Sequence, residues 1–496
     1  MITLRTGLLF CFLLLYAFAA AAQVPGTFEP AGNMTTARTG HTATLLLNGK
    51  VLITGGSRER PASAELFDPV TNTFTRTGNM TTARFGNSAT LLPDGRVLIV
   101  GGYYFGYLDS AEIYDPLTGI FTPTGNMLAP QHGGHRAVLL NNGKVLIAGG
   151  GAECPNLNDG CSIADYPEIY DSDTGSFSIA GDYADRSADP WFGTYGLVGA
   201  PLTLLPNDKV LIAAEPIAEL YDPIAGTFRL TGQMTRGSKD RVPAYQIGGT
   251  VTLLTNGKVL LAGGEHFEWD TIAEAELYDP STGNFTAIAN MSRPRVGHTA
   301  TLLRDGTVFI AGSDNFFCEF VNGVMRCGIP ASASTESYNP ATGTFTTSED
   351  MITGRWNHTA TLLMDGRILI AGGYPDAGFS PVGSAELYVP AVLIPTPVVS
   401  RFELDRSVVA SGSSYSVELS GSNLTPPMFF DIRVRRSGSN DPFVVLNWQR
   451  GLAANHDVPA GIASGSWTIT GVRAHEIETD HTGNFFPVSA TITVSQ

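Results

Sequence analysis

From Gly32 onward the chain is written in short runs of β-branched and aliphatic residues that return in a fixed order. In the first unit these are HTATLL (41–46), KVLITGG (50–56), AELFD (64–68) and TFTRT (73–77). Runs this short, rich in Thr, Val, Ile and Leu and lacking 3.6-residue periodicity, predict strands and no helices beyond the N-terminal apolar segment. The first two runs are joined by Asn48-Gly49, and the later units repeat this as Asp94-Gly95, Asn142-Gly143, Asn256-Gly257, Asp305-Gly306 and Asp365-Gly366. Such dipeptides predict tight hairpins, because type I′ turns require positive φ. A D-P-x-T-G turn leads from the third run into the fourth, so each unit is a four-stranded antiparallel meander.

The unit is anchored at Met34, Met80, Met127, Tyr183, Met234, Met291 and Met351, and seven copies fill residues 32–390. One meander cannot bury both of its faces, whereas seven stacked around an axis bury them against one another as a β-propeller. The seventh copy stops at AELYVP (385–390) without a fourth strand, and GTFEPAG (26–32) is an orphan fourth strand ahead of the first copy. An N-terminal strand therefore closes the ring. The double glycines (Gly55-Gly56, Gly101-Gly102, Gly149-Gly150, Gly263-Gly264, Gly372-Gly373), followed by Glu-x-Tyr/Phe and the next anchor Met, resemble kelch repeats. Ala213-Ala214 and Gly312-Ser313 depart from that pattern, and blades four and six are expected to pack differently at this corner. Taking 23–390 as the propeller, residues 391–397 read as a Pro-containing linker. Residues 398–496 read as a seven-strand sandwich resembling immunoglobulin-like domains.

The N-terminus changes the picture of where the protein works. One cation, an apolar run from Leu8 and small residues Ala20 to Ala22 make residues 1–22 a secretory signal, cleaved near Ala22. No later segment has the length to span a bilayer. The mature chain is expected to be secreted or extracytoplasmic, and monomeric. With 30 Lys+Arg against 46 Asp+Glu, net charge −16, it suits neither nucleic acid nor an anionic membrane surface. Outside the cytoplasm, Cys154 with Cys161 and Cys318 with Cys327 read as two local disulfides, the pair spacings being wrong for a zinc knuckle.

Within a blade, the Asn/Asp-Gly and D-P-x-T-G turns lie on one face and hardly vary; the other connections vary in length and chemistry. Both cysteine pairs fall in the two longest of these loops. The variable face also carries Tyr103, Tyr104, Tyr107, Trp191, Tyr195, His266 and Trp269, candidate ligand-binding residues because aromatic faces beside acceptors suit sugar rings and also protein partners. Near the channel mouth the repeat places His41, His135, His298 and His358, with Arg38, Arg84, Arg295 and Arg355 three residues before that position. Four imidazoles about one axis could take a metal, or could hold inter-blade hydrogen bonds, and the recurrence favours the latter. The seven repeat glutamates (Glu65, Glu112, Glu168, Glu219, Glu276, Glu336, Glu386) likewise read as structural.

The overall layout resembles the galactose-oxidase family, in which one copper is held by Tyr and His ligands beside a Tyr-Cys thioether radical. His358 matches a copper histidine of that pattern, but the adjacent axial Tyr is Asn357, the thioether Tyr is Gly86 and its Cys is Thr42. His456, His475 or His481 could add a ligand without restoring the radical pair. No catalytic residue, metal or cofactor is therefore assigned. The sequence reads as a non-catalytic module binding a glycan or extracellular protein through its variable loops; a divergent metal-dependent carbohydrate oxidase and a structural cell-surface interaction protein are the alternatives.

Overall fold

The computed structural model describes residues 26–391, apart from 58, 129–133, 151–165, 185–198, 215–216, 236–247, 266–270, 314–317, 322–323, 328–330 and 376–379, and from 398 onward the backbone of the strands alone. Seven four-stranded antiparallel sheets form the blades of a propeller. Blade 1 runs from inner to outer edge as Thr42–Leu45, Val51–Thr54, Ala64–Asp68 and Thr73–Arg76. The inner strands neighbour one another around a closed ring. Blade 7 takes Thr359–Leu362, Ile368–Ala371 and Ala385–Val389 from its own copy and Thr27–Pro30 as its outer strand, with Phe28 opposite Tyr388. Ring closure through the orphan N-terminal strand is thus as the sequence implied.

Alternation along each second strand explains the core. Val51 and Ile53 face blade 7 and pack with Leu369, Ala371 and Leu387, while Leu52 faces blade 2 and packs with Met80, Ile99 and Tyr114. A strand with a blade on both sides buries both faces, so VLIT is buried throughout instead of alternating with polar residues. The anchor methionine belongs to the junction with the preceding blade: Met34 lies in the blade 7/1 core.

The first glycine of each pair is explained by that junction. Gly372 has φ +67, and a Cβ there would lie 2.6 Å from the Arg38 carbonyl oxygen and 2.7 Å from the His41 ring. Only a bare, left-handed residue lets the next blade close this tightly. Blade 4 solves the corner differently. Its second strand continues through Ala213 and Ala214, pairing Ala214 with Ile217, and the next blade has Gly249 where others carry the histidine. In blade 6 the second strand also continues, through a register shift to Ser313 opposite Ser332, while Gly312 keeps φ +75 beneath His358 and the Ser313 hydroxyl accepts the Val296 N–H at 3.1 Å.

Beyond the propeller, strands 398–404, 414–422 and 453–457 form one sheet, and 408–410, 490–495, 465–475, 429–436 and 444–448 a second. These are eight strands where the sequence suggested seven, and the side chains that would define an immunoglobulin-like core lie outside the described residues.

Candidate functional site

The variable-loop face begins at the arginines. Arg38 is fully buried, and its guanidinium donates to Glu65 Oε1 at 2.9 Å, the Gly55 carbonyl at 2.7 Å, the Ser63 carbonyl at 3.0 Å and Ser63 Oγ at 2.8 Å. Its own carbonyl accepts the Gly373 N–H of blade 7 at 2.9 Å. The residue therefore ties two blades together. Arg84 with Glu112, Arg295 with Glu336 and Arg355 with Glu386 repeat the same buried pair. In all seven blades the repeat glutamate also accepts the backbone N–H that follows the anchor, from Thr35, Thr81, Leu128, Ala184, Thr235, Ser292 and Ile352. These carboxylates are structural, as expected.

The histidines form a second inter-blade set. Nε2 of His41 meets Thr359 Oγ1 at 3.1 Å, His135 meets Ser88, His298 meets Thr250 and His358 meets Thr299, each time the first inner-strand hydroxyl of the preceding blade. All four rings are buried. Arg38, Arg84, Arg295 and Arg355, with His41, His135, His298 and His358, are thus engaged in blade packing. Burial, aided by the Arg38 charge, holds the His41 pKa down at about 3, and burial with the Arg355 charge pushes His358 well below its ordinary value. In the unfolded chain the same rings protonate near pH 6.5. The unfolded state therefore binds more protons below that pH. The stability these neutral rings contribute is complete above pH 6.5 and is lost as pH falls toward 3, by up to about 1.4 kcal/mol per pH unit for each such ring. A series of urea midpoints from pH 8 to pH 4 is expected to be flat above about 7 and to fall below about 6.5; a midpoint unchanged down to pH 4.5 would contradict the assignment.

The same geometry tests copper. Thr42 Oγ1 pairs with Thr54 Oγ1 at 2.7 Å, Gly86 N–H bonds the Gly40 carbonyl, and Asn357, at φ +50, bonds the Gly297 carbonyl through its N–H. His358 supplies the one nitrogen ligand in this set, and its Nε2 is held by Thr299. Among the described residues no three His, Cys, Asp or Glu side chains converge. These residues do not fit a radical-copper centre.

The exposed chemistry lies one step further out. The residue after the buried arginine and the residue after the second glycine pair through their backbones. In blade 2 these are Phe85 and Tyr103, and in blade 7 Trp356 and Tyr374, whose rings lie 4.8 Å apart. In blade 1, between them, the equivalents are Thr39 and Ser57, with Thr39 N–H on the Gly56 carbonyl. The blade 2 loop turns tightly, Tyr104 N–H bonding the Gly106 carbonyl at 2.9 Å, and carries Phe105 at its tip with φ +55 and 89% exposure. Tyr103 and Tyr107 pack edge to face at 5.4 Å, and Tyr104 meets Phe105 at 4.5 Å. A bulky residue in the left-handed region and almost fully in water is kept against both conformational and solvation cost.

Of the predicted ligand residues, Tyr103, Tyr104 and Tyr107 are together in this loop, while Trp191, Tyr195, His266 and Trp269 lie outside the described residues, as do Cys154 and Cys161. Cys318 and Cys327 face each other in register across a two-stranded hairpin. Sequence reasoning missed Phe85, Trp356 and Tyr374, although their fixed offsets from Arg and Gly-Gly would have found them. It also missed Arg136, on the inner strand of blade 3.

These observations define a seven-bladed β-propeller, with buried Arg–Glu pairs at four of its junctions and exposed aromatic groups on its variable rim. The family profile described as the Kelch motif matches residues 84–128, which run from the buried arginine of blade 2 to the anchor of blade 3. A solved structure described as a fungal alcohol oxidase of the AA5 family, in complex with copper, is similar over 95% of this chain and 100% of its own, with a TM-score of 0.59 and 17% identity. At that identity the likeness is one of fold. No curated protein matches the sequence.

Proposed function

We propose that this protein is a secreted, non-catalytic binding module whose variable-loop face takes a glycan or an extracellular protein, with the glycan favoured. The observation that carries the reading is the pair of aromatic walls, Phe85 with Tyr103 and Trp356 with Tyr374, on either side of the small polar residues Thr39 and Ser57. Aromatic faces supply apolar contact to the CH face of a sugar ring, and the small buried residues between the walls leave room for it. The left-handed Phe105 adds a projecting apolar contact at the edge of one wall. An oxidase reading draws on fold alone, because the residues at the copper positions do not fit the metal. Secretion and the two cysteine bridges belong to the same proposal; in the purified mature chain, no thiol is expected to react with iodoacetamide before reduction.

The test is a glycan and cell-surface protein screen, repeated with Tyr104→Ala/Phe105→Ala and with Trp356→Ala/Tyr374→Ala. Each double variant is expected to weaken binding by about tenfold or more, while Leu117→Ser, on an exposed turn of the opposite face, leaves it unchanged. A ligand that binds both double variants as it binds the parent protein would defeat the proposal. So would peroxide from alcohols or sugars by copper-loaded protein in the same samples.

A further inference from the structure

One blade junction departs from the other six at three positions at once. At the first inner-strand position, five blades carry a hydroxyl: Thr42, Ser88, Thr250, Thr299 and Thr359. Four of these meet the histidine of the next blade, and Thr42, whose neighbour has Asn87 instead, turns to Thr54. Blade 3 has Arg136 there, and blade 4 has Ala200 in place of the histidine. The anchor of blade 4 is changed as well. Tyr183 replaces methionine and its hydroxyl accepts the Gly149 N–H at 2.9 Å, so the junction stays closed at its base although the histidine bridge is gone. The junction has exchanged a packing contact for a cation.

Arg136 differs from the four arginines of the blade corners. Arg38, Arg84, Arg295 and Arg355 are buried and each has its glutamate. Arg136 is exposed at the loop-face end of the inner-strand ring, and among the described residues neither a hydrogen bond nor an ion pair reaches its guanidinium. Partial desolvation on the inner strand lowers its pKa from the ordinary arginine value. A protein with 46 acidic residues had ample means to pair this cation and has left it open. A partly desolvated guanidinium with five donors and no acceptor costs stability and is matched bidentately by a carboxylate. The net charge of −16 opposes polyanions and leaves a single carboxylate as the suitable guest.

We propose that the loop-face end of the inner-strand ring is a binding site for a monocarboxylate group, with Arg136 as its receptor, at the blade 3/4 junction where Ala200 stands in place of the histidine. The site is distinct from the aromatic walls on blades 2 and 7. It stands whether or not those walls bind a glycan.

The experiment uses the intact mature protein with glucuronate, acetate and glucose as probes, at constant ionic strength set with chloride. Thermal unfolding and direct calorimetric titration are followed for the parent, Arg136→Gln, Arg136→Thr and the wall variant Tyr104→Ala/Phe105→Ala. Glucuronate or acetate is expected to raise the parent melting temperature by about 1–3 °C at saturating concentration, and glucose to leave it unchanged. Both Arg136 variants should lose this response, with affinity reduced about tenfold or more, while the wall variant keeps it. Without ligand, Arg136→Thr should melt at or above the parent temperature, because it removes an unpaired, desolvated cation. A shift by acetate alone identifies the carboxylate as the recognised group; a shift by glucuronate alone identifies a uronic acid. The proposal falls if neither carboxylate shifts the parent protein, if the Arg136 variants respond as the parent does, or if both variants melt well below it and thereby reveal a packing role.

Discussion

Glu386→Ala is expected to lower the stability of the propeller by about 3–5 kcal/mol. The carboxylate is 1% exposed, and it takes the Arg355 Nε–H at 3.0 Å and the Ile352 N–H at 2.7 Å. Removing it leaves a guanidinium at 1% exposure, still bonded to the carbonyls of Gly372 at 2.8 Å and Ser384 at 3.0 Å but without a counter-charge. An uncompensated buried cation costs far more than a lost exposed ion pair, whose contribution is about 0–1 kcal/mol. Arg367→Ala, which removes a half-exposed pair with Asp365 on the opposite face, is the matched control and should cost about 1 kcal/mol or less. Urea denaturation of both variants and of Arg355→Leu/Glu386→Leu measures the difference. The double variant should recover part of the loss, because an apolar pair leaves no buried charge. If Glu386→Ala and the Arg367 control fall within about 1 kcal/mol of each other, water enters the corner and the inter-blade role of the pair is wrong.

Removing residues 24–31 is expected to cost about 3 kcal/mol or more and to make the protein self-associate. The deleted segment carries the outer strand of blade 7, which pairs Thr27 to Pro30 with Val389 to Glu386. It also carries Phe28, whose ring lies 5.2 Å from Tyr388, itself stacked at 3.9 Å on Phe309 of blade 6. Losing a packed aromatic from such a cluster costs about 3–5 kcal/mol. The bared edge of Ala385–Val389 then offers unpaired N–H and C=O groups to another chain. Calorimetry gives the stability and light scattering the association. A synthetic peptide spanning residues 24–33, added in excess, should restore both. A truncated protein that melts with the full chain and stays monomeric would mean that the ring is closed by other contacts.

Much of this architecture was legible before any coordinates. Seven anchors, Asn/Asp-Gly turns and an orphan N-terminal strand that matches the one missing from the last copy give the blade count, the strand order and the closure, because hairpin geometry and blade stacking are local or nearest-neighbour problems and the repeat states the solution seven times. The roles of the histidines and glutamates were legible for the same reason: a residue that returns at one position in most blades answers a constraint that returns in most blades. The departures at blades 4 and 6 were visible too, though only the structure showed that both second strands continue past the corner, in regular register to Ala214 and through a shift to Ser313.

The candidate site was read less completely. Tyr103, Tyr104 and Tyr107 were found because they cluster in sequence, whereas Phe85, Trp356 and Tyr374 escaped because each stands alone and is paired across a loop by backbone hydrogen bonds. The repeat arginines illustrate the converse. Their sequence positions brought them near the axis, and the tertiary structure turned their guanidinium groups onto the buried glutamates. Composition and spacing therefore determined that this chain is an acidic, all-β ring of seven units, since those features depend on turns and on alternation between neighbours. Which polar groups remain free for a ligand was decided only in three dimensions. Arg38 and Arg136 are the same residue type near one end of the same channel, and what separates them is a glutamate within 3 Å of the first and an alanine where the second would have met a histidine.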